Sequence, residues 1–292
     1  MPDAGRLLYI RTTKGGEDRM IYRRYLAAAA LCLLAGCGGR TLGQELEMVP
    51  STSLAHIHVE SPLPPELWAY IPDGVLPVDP GLLRELIDRG PLGITVSGIN
   101  LTNLEPQILL LSRDVGVDSM LVIASRYLEF TTDSLEGRSD LLSGTGAVLG
   151  AVSERDGWAC LYIGPSPQSV MTAWLGLEPS RSLGADSSVA RIAGDGGDLS
   201  LFVPPGLISF LRIAPIESWV DGWEDVEEFL SLVQPTAARL DLSFGGFIGV
   251  EARVVRQDGK VSRARLEIED SGFTPGEMLS SLRLLLMAGG YL

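Results

Sequence analysis

His56 and His58 are the only histidines of the 292-residue chain, and they sit in an alternating run, Leu54-Ala55-His56-Ile57-His58-Val59-Glu60. An extended strand puts residues i and i+2 on one face, so the two imidazoles stand side by side and Glu60 continues the row. Such a pair chelates zinc or copper when a third ligand joins it, and Glu60 is the residue placed to do so. The plainer reading is a polar, solvent-facing strand, and it is the one adopted: no metal and no cofactor is expected. Asp195-Gly196-Gly197-Asp198 has the residue types of a calcium loop. It lacks the spacing and the roughly six to eight oxygen ligands of a full site, so a turn into the next strand is expected. Cys160 lies in the strand-like run Trp158-Ala159-Cys160-Leu161-Tyr162-Ile163, with no histidine nearby to make it a nucleophile, and reads as a buried structural thiol. No nucleophile elbow, phosphate-binding glycine loop or dinucleotide fingerprint occurs. No catalytic residue and no enzymatic activity is expected.

A second cysteine carries a different chemistry. Arg19, Arg23 and Arg24 precede ten apolar residues, Leu26 to Ala35, and Leu34-Ala35-Gly36-Cys37 follows on at the end of that run. Ten residues are too few to span a bilayer as a helix, which needs about 20, so the stretch reads as a removable signal. Leu34 to Cys37 resembles the lipobox of bacterial lipoproteins. That resemblance implies cleavage between Gly36 and Cys37 and a diacylglycerol and palmitate-type acyl group on Cys37. It places the protein in the cell envelope, its membrane contact being the lipid on Cys37. Gly38 after the cysteine resembles the outer-membrane sorting pattern, facing the periplasm in a two-membrane bacterium. Tyr22-Arg23-Arg24-Tyr25-Leu26 also resembles an incomplete twin-arginine signal. Signal peptides start close to their arginines, so Met20 is expected as the initiator, with residues 1–19 an upstream start assigned too early and 20–36 the signal.

Composition narrows the partners. Six of the 23 basic and three of the 37 acidic residues lie in residues 1–36, leaving 17 against 34 and a formal charge of −17 beyond the signal. That excess repels phosphate backbones, so nucleic acid is excluded as a partner. It also disfavours anionic lipid surfaces, and an envelope protein is the other partner expected. With Cys32 removed and Cys37 acylated, Cys160 has no disulfide partner.

The elements that position these residues alternate along the chain. Residues 37–50 are expected as a polar tether. Strands are expected at 54–60, 94–101 and 107–112, with short helices over 64–71, 80–88 and 117–128. Hairpin strands follow at 147–153 and 158–163, then a helix from Pro167 with Val170, Met171, Trp174 and Leu175 inward. The order then restarts: a strand over 198–203, a helix after Pro204-Pro205, and a longer helix over 217–233. That helix carries Trp219 and Trp223 one turn apart on an apolar stripe, which either packs on a sheet or anchors a partner. A hairpin over 247–256 and 261–268 turns at Asp258-Gly259, and an apolar helix over 275–287 closes the chain. Both runs read strand, helices, paired strands. The fold class expected is therefore α+β, mainly antiparallel sheets covered by helices, in two divergent halves, 51–190 and 191–292.

Gly157-Trp158, Gly164-Pro165-Ser166, Ser182-Leu183 and the strand Leu199 to Val203 also resemble, loosely, a bacterial envelope protein family of unknown function, with the second half lacking that family's final hairpin. The resemblance implies fold and location and adds no catalytic residue. The function expected is a lipid-anchored, non-enzymatic binding or scaffold protein. The alternatives are a periplasmic carrier or chaperone for an apolar ligand and a cell-wall hydrolase.

Overall fold

The computed structural model describes residues 8–11, 38–60, 62–64, 78–100, 105–135, 137–213, 223–245 and 247–268. Met20, the signal over 20–36, Cys37, the expected helices over 64–71 and 275–287, and Trp219 lie outside the described residues, all but the first residue of the 64–71 helix. Among the described residues twelve strands form one sheet: β1 (Leu8–Arg11), β2 (Ala55–Val59), β3 (Leu92–Asn100), β4 (Glu105–Ser112), β5 (Thr131–Leu135), β6 (Arg138–Leu142), β7 (Val148–Arg155), β8 (Trp158–Ile163), β9 (Leu199–Val203), β10 (Pro235–Phe244), β11 (Ile248–Arg256) and β12 (Val261–Ile268). Their spatial order is β1-β12-β11-β10-β9-β2-β3-β4-β8-β7-β6-β5. Neighbours are antiparallel except β1, which lies parallel to β12 at one edge. The α+β expectation holds in its coarse form, with one correction. There is a single continuous sheet, because β2 pairs with β9 and joins what sequence order separates.

Helices cover both faces: α1 (Gly38–Glu47), α2 (Pro80–Ile87), α3 (Val117–Ala124), α4 (Pro167–Leu175), α5 (Ser187–Ala190), α6 (Pro205–Ile213) and α7 (Trp223–Val233). Their starts follow from sequence. Asp79 caps α2 by accepting the Gly81 N–H at 2.7 Å, with Pro80 at the first turn, and Pro167 opens α4. None of the described helices is long and apolar enough to cross a membrane.

Alternation along each strand separates two packed faces. On one, Leu109, Leu111, Cys160 and Tyr162 pack with Leu42 and Leu46 of α1 and with Met171 and Trp174 of α4. On the other, Ile108, Leu110 and Leu161 pack with Leu82, Leu83, Leu86 and Ile87 of α2 and Met120 and Ile123 of α3. Farther along that second face, Val233 of α7 meets Val250, Val254 and Leu266. Residues 108–111 are apolar without a break because both sides of β4 are covered.

The described part of the expected tether 37–50, residues 38–50, is not a tether. From Gly38 the chain is helical, and Leu42, Leu46, Met48 and Val49 are buried. The Trp174 indole N–H donates to the Met48 carbonyl at 2.9 Å, and Leu183 N–H to Val49 O at 2.7 Å. The polar residues disguised an i, i+4 leucine pair that points inward.

Candidate functional site

β2 is sixth in the sheet order, between β3 and β9. That position decides the fate of the two histidines. They were expected on a solvent-facing strand. Instead both are buried, because α1 lies over the middle of the sheet and lowers Glu45 onto them. Glu45 is 1% exposed and each of its oxygens faces one imidazole. His58 Nδ1 donates to Glu45 Oε2 at 2.8 Å, and His58 Nε2 donates to Glu60 Oε2 at 2.8 Å. His56 Nε2 stands 2.8 Å from Glu45 Oε1 but off the line of a good hydrogen bond, and neither atom has another partner. On its far side His56 Nδ1 shares a hydrogen bond with Thr95 Oγ1 at 2.9 Å. Gly93, opposite His58 on β3, leaves the room: a Cβ there would come within 2.4 Å of Glu45 Oε1.

Protonation follows from the partners. A carboxylate only accepts, so a His58 ring bonded to Glu45 and Glu60 donates from both nitrogens and is imidazolium. Burial pulls the His58 pKa down, but the hydrogen bonds and charges of Glu45 and Glu60 outweigh it and hold it above the ordinary value. Burial alone would raise Glu45, yet its contacts with His56 and His58 bring its carboxyl below the ordinary value.

The neighbouring positions on β9 and β10 continue the polar row. Phe202 lies opposite His56, their ring centroids 6.1 Å apart, and Ser200 lies opposite His58. Across the next pair stand Arg239 and Asp241. Arg239 is fully buried over the Phe202 ring, 4.9 Å from its centroid. Its guanidinium donates to Asp241 Oδ1 at 2.7 Å and to the carbonyls of Ile192 and Gly194 at 2.7 and 2.6 Å. Ser200 Oγ donates to the same Asp241 oxygen at 2.5 Å. Asp195 to Asp198, expected as a turn, are a bent, irregular stretch that leads into β9. A Cβ at Gly196 would strike Arg239 Nη2 at 2.6 Å, and Asp198 Oδ2 accepts the Phe244 N–H at 2.6 Å.

No protein-family model, curated protein or solved structure matches the chain. The residues themselves must therefore carry the chemistry.

Thr95, His56 and Glu45 have the order hydroxyl, imidazole, carboxylate. All three are at most 1% exposed, so no substrate reaches that hydroxyl in this conformation. Glu60, the weak candidate for a third metal ligand, is bonded to the outer nitrogen of His58, on the side away from Glu45. Among the described residues no three His, Cys, Asp or Glu side chains are grouped so as to hold a metal ion. The row joins α1 to the sheet by charge. Cys160 is buried on β8, and burial pushes its thiol pKa well up. Trp223 begins α7, its side chain outside the described residues. Sequence reasoning brought His56, His58 and Glu60 together and missed Glu45, Thr95, Arg239 and Asp241. The only signal for Glu45 was the Leu42–Leu46 spacing around it.

Proposed function

We propose that the chain is a lipid-anchored protein of a bacterial cell envelope, held by an acyl group on Cys37 and acting as a non-enzymatic binding or scaffold protein. The observation that carries this reading is Leu34-Ala35-Gly36-Cys37 behind its basic and apolar segments. Two features of the fold support it. Among the described residues every antiparallel strand lies beyond Cys37, and the one described strand before it is the short parallel β1. The side chains with catalytic chemistry, Thr95, His56, His58 and Glu45, are buried and occupied with one another. The contacts expected are the membrane, through the lipid, and an envelope protein partner.

The finer reading of the fold is two related halves, 51–190 and 191–292, meeting at the β2–β9 pair. In its support, β2 leads through α2 to the β3–β4 hairpin, and β9 leads through α6 and α7 to the β10–β11 hairpin. Each half places its hairpin beside its first strand.

Growth with labelled palmitate tests the anchor. Label on the native protein in the membrane fraction, and none on Cys37→Ala, is the expected result. Equal labelling of the two would refute it.

A further inference from the structure

The row Glu60–His58–Glu45–His56–Thr95 ties α1, the helix that follows Cys37, to the centre of the sheet. We propose that α1 is a pH-sensitive latch: protonated His58 clamps Glu45 of α1 and Glu60 of the sheet together, and loss of its proton loosens α1. The geometry dictates the direction. A neutral ring has one N–H for two carboxylates. Glu60, whose side chain is 41% exposed, turns to water at little cost. Glu45 cannot, and is left as a buried negative charge without a cation against it.

The surroundings offer no substitute for that proton. From α1 the group facing His58 is Glu45, and along its own chain the neighbours are His56 and Glu60. From β3 come Gly93 and Thr95, neither charged, and from β9 comes Ser200, which donates to Asp241 of β10. The nearest guanidinium in the row, Arg239, is committed to Asp241 and to two backbone carbonyls.

The sign follows from the two shifts. His58 is raised, so its contribution is whole below its ordinary value and is lost as pH climbs through the folded value. Glu45 is lowered, so its contribution is whole above its ordinary value and is lost as pH falls through the folded value. The latch is tightest between those limits and opens on the alkaline side through His58. Its meaning at a membrane rests on acylation of Cys37. There, release of Gly38 to Leu54 would let the body stand off by a fully extended reach of up to roughly 55 Å.

Hydrogen exchange read by mass spectrometry on the full chain, corrected for the intrinsic rate, tests the latch with or without lipid. Failure of palmitate labelling leaves this readout untouched. Between pH 6 and pH 9 the protection of amides 44–47 should fall at least tenfold, while that of α4 stays within about twofold. In His58→Gln the difference between α1 and α4 should no longer change with pH. Glu60→Gln, a change at a half-buried position, should fold and shift the transition to lower pH, because one of the two carboxylates that hold the proton is gone. Protection of α1 and α4 that moves together, a Glu60→Gln midpoint equal to the native one, or an unchanged α1 transition in His58→Gln would each overturn the proposal.

Discussion

One methyl group measures how tightly the polar row is built. A Cβ on Gly93 would meet Glu45 Oε1 at 2.4 Å, Glu45 Cδ at 2.9 Å and His56 Cε1 at 3.1 Å. The carboxylate is locked by its imidazoles and has no free direction in which to yield. Gly93→Ala should therefore destabilise the protein by about 1–3 kcal/mol, as overpacking of a filled core does. Gly43 in α1 has nothing within 4 Å of its Cβ direction. Gly43→Ala should stabilise the helix by about 0.5–1 kcal/mol. Urea unfolding of the two variants beside the native protein gives the two signs. Equal effects would mean that Glu45 is not packed against β3. The residues of this site were legible in sequence only where type and spacing were local. His56, His58 and Glu60 declare themselves within five positions. Glu45 sits 11 residues from His56 on another element, and beyond the Leu42–Leu46 spacing nothing near it in sequence marks its role.

At the scale of elements, the hairpin β11–β12 was the easiest to read, since both strands alternate and Asp258-Gly259 turns them, with Gly259 at φ 79°. The four leucine and isoleucine residues of α2 and the inward Met171 and Trp174 of α4 were equally plain. β10 was not. Its run Ala237-Ala238-Arg239-Leu240-Asp241-Leu242 does alternate, but the face bearing the charges is buried, because Arg239 and Asp241 neutralise each other there. A pattern search that equates charge with solvent passes over such a strand. The same bias turned α1 into an expected tether. Truncation separates the roles of the two N-terminal elements. A chain starting at Gly38 loses, of the described elements, β1 alone and should keep its melting temperature within a few degrees. A chain starting at Ser51 loses Leu42, Leu46 and Glu45. The two leucines alone contribute about 3–6 kcal/mol, against a usual net stability of about 5–15 kcal/mol. Circular dichroism should show the second chain without a cooperative melt, and a shared melt would remove α1 from the core.

For the whole molecule, the decisive contact is the pairing of β2 with β9, where His58 faces Ser200, 142 residues away in sequence. Local periodicity cannot register such a contact, which is why separate sheets were expected and one sheet is found. The pairing gives the molecule a continuous polar row from Thr95 to Asp241, and α1 closes it from above. A protein built this way holds its N-terminal helix as part of the core. A lipid on the residue before that helix would fix the body close to the bilayer while the helix is docked. Everything about location therefore turns on the chemical state of Cys37, and one spectrum reads it. Trypsin cuts after Arg24 and after Arg40, so mass spectrometry of protein extracted from membranes distinguishes two peptides. The expected peptide runs from Cys37 to Arg40 and carries a thioether-linked diacylglycerol. An unmodified peptide running from Tyr25 to Arg40 would contradict it.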